Sequence, residues 1–157
     1  MPTSAALDYI TMKGFRSIAS IEKLALRPIN VLIGANGSGK SNFVAVFSFL
    51  REVTEGRLQE NVRVAGGADQ LLYFGSKTSQ QMELHLSFYN EGNQYRLTVK
   101  PTTDDSLYPA EEIVYFWDKD SYPSPFIEPI SPRVDGREAG ISDSRIVKIP
   151  GRVFTYR

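Results

Sequence analysis

Ile29-Asn30-Val31-Leu32-Ile33-Gly34-Ala35-Asn36-Gly37-Ser38-Gly39-Lys40-Ser41-Asn42-Phe43 is the stretch on which the fold turns. Ile29 to Ile33 is a largely β-branched apolar run closed by a glycine, the pattern of a strand buried on both faces. Behind the glycines, Phe43, Val46, Phe47, Leu50 and Val53 recur at helical spacing, with Val44 and Phe49 widening the stripe. Gly34 to Ser41 satisfies G-x-x-x-x-G-K-[ST] at every position. Glycine backbone can turn at positive φ and pass close to a bulky anion. The amides of Gly37, Ser38, Gly39, Lys40 and Ser41 then point inward as an anion-binding nest, aided by the positive end of the helix dipole. Lys40 supplies a mobile charge for β- and γ-phosphates, and the Ser41 hydroxyl is a hard oxygen ligand for Mg²⁺.

Working outward, Tyr9 to Lys13 alternates apolar and polar side chains, and Ile21 to Leu26 alternates again, which predicts an antiparallel pair. Pro28 separates that pair from the apolar run. Downstream, Glu55 to Asp69 is polar and is broken at Gly66-Gly67. Met82 to Phe88 and Tyr95 to Val99 alternate around Asn90-Glu91-Gly92-Asn93, a β-hairpin pattern. Ile113 to Trp117 is a third strand candidate. Pro123, Pro125, Pro129 and Pro132 exclude the middle of a sheet for the stretch that holds them. Ile146 to Ile149 and Val153 to Tyr156 are short strand candidates, and the second ends in mid-pattern, so the chain is expected to be a fragment.

The 157 residues suffice for one domain with a core, and 41% hydrophobic content argues against global disorder. The absence of cysteine excludes disulfides, cysteine-bound zinc and a thiol nucleophile, and a single histidine, His85, excludes His-clustered metal sites. No apolar run approaches the roughly 20 residues of a membrane span, and the first residues lack signal-peptide character. A cytoplasmic setting without membrane contact is the expectation. Basic and acidic residues balance at 18 each, which is not the strong basic excess of a typical nucleic-acid binder. The distribution is uneven: seven acids face Lys119 between Pro101 and Pro129, whereas six bases face three acids between Ser131 and Arg157.

The loop with its flanks, together with Met12-Lys13-Gly14-Phe15-Arg16-Ser17-Ile18, resembles the N-terminal segment of ABC-type ATPases of the RecF/SMC/OLD group. More narrowly it is similar to the short AAA-family ATPases that lack a long coiled coil. The resemblance is strong over Ile10 to Val53 and moderate over Gly66-Gly67 to Phe74-Gly75. It implies an α/β P-loop NTPase, the head lobe of an ABC ATPase, with a mixed sheet around the loop's strand, an antiparallel β-region and a second lobe missing. Residues 1–157 would be that lobe, with 1–56 carrying strands, loop and helix, 57–80 a connector and 81–157 the β-region.

The same resemblance implies ATP and Mg²⁺ as cofactors. It places Arg16 and Ser17 against the nucleotide beside Asn36, Gly37, Ser38, Gly39, Lys40, Ser41 and Asn42, with Lys40 catalytic and Ser41 on the metal. Asn36 would reach the γ-phosphate or attacking water, while a helix-terminus role serves Asn42 equally well. Gly14 stands where many relatives carry asparagine, a difference expected to be neutral. Partners implied are a homodimer or a partner ATPase head, with DNA or an effector protein downstream in repair, recombination or phage defence.

Hydrolysis in that group also needs an apolar strand ending in Asp-Glu and a Leu-Ser-Gly-Gly-like signature. Ile113 to Asp118 ends in aspartate but continues with Lys119, and fits an ordinary strand closed by an Asp turn. Ile141-Ser142-Asp143-Ser144 is a poor signature, and His85 sits in an alternating strand rather than at a switch position. The isolated chain is therefore expected to bind ATP without hydrolysing it. A non-catalytic, nucleotide-dependent regulatory or interaction module is the alternative. A small P-loop kinase or GTPase lacks its Asn-Lys-x-Asp element here.

Overall fold

The structure is a computed structural model that describes residues 7–129, 147–149 and 152–154. β1 (Leu7–Phe15) and β2 (Ile18–Ala25) form a hairpin, followed by α1 (Lys40–Thr54), α2 (Leu58–Ala65) and a 3₁₀ turn at Ala68–Gln70. β3 (Met82–Phe88), β4 (Asn93–Pro101), β5 (Leu107–Phe116) and β6 (Phe126–Pro129) complete a six-stranded sheet in the order β2-β1-β3-β4-β5-β6. Every pairing in it is antiparallel. β7 (Val147–Ile149) and β8 (Arg152–Phe154) pair separately.

Alternation decides which face of the sheet is covered. Ile10 and Met12 on β1, Met82, Leu84 and Leu86 on β3, and Leu97 and Val99 on β4 are buried, while the intervening Thr11, Lys13, Glu83 and His85 remain partly accessible. The stripe of α1, made by Phe43, Val46, Phe49, Leu50 and Val53, joins this cluster, and the Phe49 ring lies 5.7 Å from that of Phe15. Burying a side chain of that size is worth about 1.5–3 kcal/mol. Leu58 and Val62, one turn apart, anchor α2, and Gln59 donates to the Leu107 carbonyl at 2.6 Å.

The hairpin of β3 and β4 and the pair of β1 and β2 match the alternation in the sequence. α2 occupies the span expected to be a connector, because its narrow apolar face left only Leu58 and Val62 as markers. Phe126–Pro129 forms a strand inside the proline-rich stretch. It lies at the sheet edge, where one side needs no donor.

The largest departure concerns Ile29 to Ile33, which is neither strand nor buried: Ile29 is 84% exposed, Val31 77% and Ile33 90%. Among the described residues the sheet is therefore antiparallel, not a mixed sheet around the loop's strand, and its α/β character is limited to two helices on one face. The physical reason is the lack of a neighbour. β2 ends the sheet, the chain turns away at Pro28, and no strand among the described residues runs beside this segment.

The segment from Gly66 to Gly75 is tied to the rest at several points. Gly66 caps α2 in the left-handed region at φ 91°. The next residue, Gly67, has φ 108°, and a β-carbon there would lie 1.8 Å from Asp105 Oδ2. Asp105, in the β4–β5 turn, receives the Ala68 amide on its carbonyl at 2.9 Å and the Asp69 amide on Oδ1 at 3.1 Å. At the far end the Arg16 amide donates to Leu71 at 2.8 Å and the Tyr73 amide to Gly14 at 3.0 Å. Gly14, at φ 73°, has no room for a side chain either, since a β-carbon would approach the Gln81 carbonyl oxygen to 2.5 Å. Asparagine at this position is therefore not neutral in this packing.

Gly67→Ala is expected to lower stability by about 1–3 kcal/mol, through the strained φ and the displaced Asp105, as read by chemical denaturation. The uncovered apolar strip predicts concentration-dependent self-association. Replacing Val31 and Ile33 by serine should reduce it in light scattering, with the thermal midpoint unchanged.

Candidate nucleotide site

The burial of α1 fixes where its N-terminus stands, and the loop from Gly34 hangs on that end. Gly37 (φ 83°) and Gly39 (φ 90°) take backbone angles that other residues resist. Gly39 caps the helix, and its carbonyl accepts the Phe43 amide at 2.8 Å. Within the loop the Ser38 amide reaches the Ala35 carbonyl at 3.2 Å. Among the described residues, no protein acceptor meets the amides of Gly37, Gly39, Lys40 or Ser41. Such open donors at a helix start suit an oxyanion.

Lys40 folds back over the loop. Its Nζ donates to the Gly34 and Ala35 carbonyls, each at 2.6 Å, and to Ser38 Oγ at 3.3 Å. Gly34 is small for the same reason, because a β-carbon would meet Ser38 Oγ at 2.8 Å. The ammonium thus stands beside the open amides on neutral acceptors, which a phosphate oxygen can displace through a stronger charge-assisted bond.

The turn from β1 to β2 packs directly on this loop. Asn42 Nδ2 donates to Ser17 Oγ at 2.7 Å, and Ser17 Oγ would lie 3.3 Å from a β-carbon on Gly39. Arg16 adopts φ 49°, its guanidinium stands 5.5 Å from the Phe15 ring centre, and its Nε is buried with no partner among the described residues. Arg16 and Asn42 also line an open depression of about 710 Å³, together with Asp69, Gln70, Leu72 and Phe74. The structure therefore brings Arg16, Ser17, Gly39, Lys40 and Asn42 into one neighbourhood. Asn36, Gly37 and Ser38 lie exposed on the loop, as does Ser41 at the start of the helix. The corner made by Asp69, Gln70 and Phe74 was missed in the sequence. The Gly-Gly and Phe-Gly punctuation around it was its only signal.

Residues 29–150, which include the loop, match the family described as "AAA domain, putative AbiEii toxin, Type IV TA system". The chain belongs to this AAA-domain family. It is thereby a nucleotide-binding, ATPase-like domain of the P-loop kind, a class that generally uses ATP with Mg²⁺. No curated protein and no solved structure matches it. No helix among the described residues of the AAA domain is long and apolar enough to cross a membrane.

Other candidates fall away from the loop. Asp118 closes a turn after β5, accepting the Asp120 amide at 3.2 Å and the Ser121 hydroxyl at 2.9 Å. β5 is three places from β1 in the sheet. Ile141-Ser142-Asp143-Ser144 lies outside the described residues. The basic stretch of residues 131–157 does too, apart from the backbone of β7 and β8. His85 is on the sheet face opposite the helices, where Nε2 pairs with Gln94 Oε1 at 2.9 Å and the ring meets Tyr9 edge-on at 5.6 Å.

Burial lowers the His85 pKa below its ordinary value, against the opposing hydrogen bond to Gln94. The unfolded chain then binds a proton that the folded chain resists. This contribution favours folding above the ordinary imidazole value and is lost as pH falls below it. Denaturation midpoints from about pH 7 to about pH 5 should fall less steeply in His85→Gln than in the wild type.

Proposed function

We propose that this chain binds ATP with Mg²⁺ on the Gly34–Ser41 loop, as the first lobe of an ABC-type head of the RecF/SMC kind. The observation that carries this reading is the set of amides at the start of α1 left open among the described residues, flanked by the Lys40 ammonium and by Arg16 Nε, which is buried with no partner among those residues. Those donors would hold the triphosphate, with Lys40 moving from the Gly34 and Ala35 carbonyls to phosphate oxygens. The guanidinium of Arg16 matches two phosphate oxygens at once. Ser41 would hold the metal through its hydroxyl, and a bound Mg²⁺ neutralises charge on the β- and γ-phosphates. Asn42 holds Ser17 and so positions the turn that carries Arg16. Asn36 is exposed on the loop and available to the γ-phosphate or the attacking water.

Hydrolysis in this reading needs a second lobe that supplies the acidic strand, and a homodimeric or partner head that supplies the signature. The exposed Ile29 to Ile33 run supports such a completion, since an apolar segment whose backbone meets no strand among the described residues gains both burial and hydrogen bonds from neighbouring strands. Head association would then act on DNA or an effector protein in repair, recombination or phage defence. A second reading, a nucleotide-dependent interaction module without hydrolysis, is favoured by the role of Asp118 as a turn residue rather than a metal ligand.

Calorimetry with Mg²⁺ and ATP tests binding. Lys40→Ala is expected to weaken affinity at least about tenfold, or about 1.4 kcal/mol. No binding by the wild-type chain, or no change in the variant, would overturn the proposal. Phosphate release clearly above the Lys40→Ala background would eliminate the non-catalytic reading.

A further inference from the structure

The depression beside Arg16 differs from the loop in its chemistry. The loop offers amides and an ammonium, which suit anions. The depression instead offers an aromatic face, an amide side chain, a carboxylate and the apolar Leu72. The Phe74 ring is 76% exposed, and Tyr73 holds it edge-on with ring centres 4.6 Å apart. Its backbone is at φ 53°, a conformation that an aromatic residue rarely adopts. An exposed aromatic at a strained position, fixed by a neighbour, gives up little entropy on stacking with a ligand. The corner is also rigid behind the ring. The Gly75 amide bonds Leu72 at 3.1 Å, and the Ser76 amide bonds Asp69 Oδ1 at 2.7 Å. Hydrogen bonds from Ser76 hold the Asp69 carboxyl below its ordinary pKa, so it accepts and does not donate near neutral pH.

We propose that this depression is the nucleoside subsite, with Phe74 stacking on the base and Asp69 accepting from the ribose hydroxyls. The inference rests on triphosphate binding at the loop and adds which part of the ligand goes where. Arg16 and Asn42 belong to both regions, so one ligand can span them: its phosphates meet the amides at the start of α1 while its sugar and base lie toward Asp69 and Phe74. A flat, uncharged ring and a hydroxyl-bearing sugar are what an exposed aromatic and an acceptor-only carboxylate recognise.

The test compares Mg²⁺-ATP with Mg²⁺-tripolyphosphate, which has the phosphates alone, by calorimetry on the full chain. Phe74→Asn removes the ring while suiting φ 53°, and Phe74→Tyr keeps the ring. ATP should bind the wild type more tightly than tripolyphosphate, and Phe74→Asn should weaken ATP by about five- to a hundredfold, the scale of base–aromatic stacking. Tripolyphosphate affinity should not change, and Phe74→Tyr should behave as wild type. Asp69→Asn keeps an oxygen for the Ser76 amide, and it should abolish any preference for ATP over 2′-deoxy-ATP. Unchanged ATP affinity in Phe74→Asn would overturn the subsite while leaving triphosphate binding intact. Failure of both ATP and tripolyphosphate to bind the wild type would overturn the underlying function and the subsite together.

Discussion

The burial of α1 against the apolar face of β1, β3 and β4 is the constraint on which everything else depends. The internal bonds of the Gly34–Ser41 loop, from Lys40 and from the Ser38 amide, shape it without tying it to the rest of the chain. Phe43, Val46, Phe49, Leu50 and Val53 seat the helix, and Phe15 reaches the same layer from β1. Because Phe15 is buried there, the residues that follow it, Arg16 and Ser17, emerge beside the helix start. One hydrophobic contact thus sets the position of both a cationic and a backbone component of the site.

Around that contact the chain uses backbone hydrogen bonds to bring distant segments to the same place. The Gly66 to Gly75 segment has little regular structure, yet it is fastened to β1 through Arg16 and Tyr73 and to the β4–β5 turn through Asp105. Buried amides must find partners, and these are the partners available. The result is a wall beside the loop built from residues that no periodic pattern connects. Its charged groups are mostly solvated: the pairs of Arg57 with Glu52 and Glu55 link the end of α1 to the start of α2 at the surface, where such pairs contribute little.

Much of this was legible in the sequence wherever local chemistry decides structure. The loop motif, the stripe of α1 and the alternation of β1, β3 and β4 each need only their own residues and one apolar neighbour. Ile29 to Ile33 shows where local patterning stops. Its composition is that of a central strand, but a strand is made by pairing, and no partner stands beside it among the described residues. α2 was hidden for the opposite reason, since Leu58 and Val62 are too few to signal a helix until β5 and the 3₁₀ turn are there to receive them. The Phe74 corner was illegible because its geometry comes from Gly67, Asp105 and Gly14, which lie far apart in the chain.

The strand order carries a consequence for synthesis. β1 is flanked by β2, its immediate successor, and by β3, which begins at Met82. Everything that forms the phosphate loop and both helices is made in the interval before β3 exists. A nascent chain halted ahead of Phe88 would have a hairpin and an apolar helix with half of their floor absent. The closing of β1 on β3 must wait for a long loop to be drawn shut, a step whose entropic cost slows assembly. Until then the apolar stripe of α1 lacks half of the surface that covers it, which leaves the partly made chain open to aggregation.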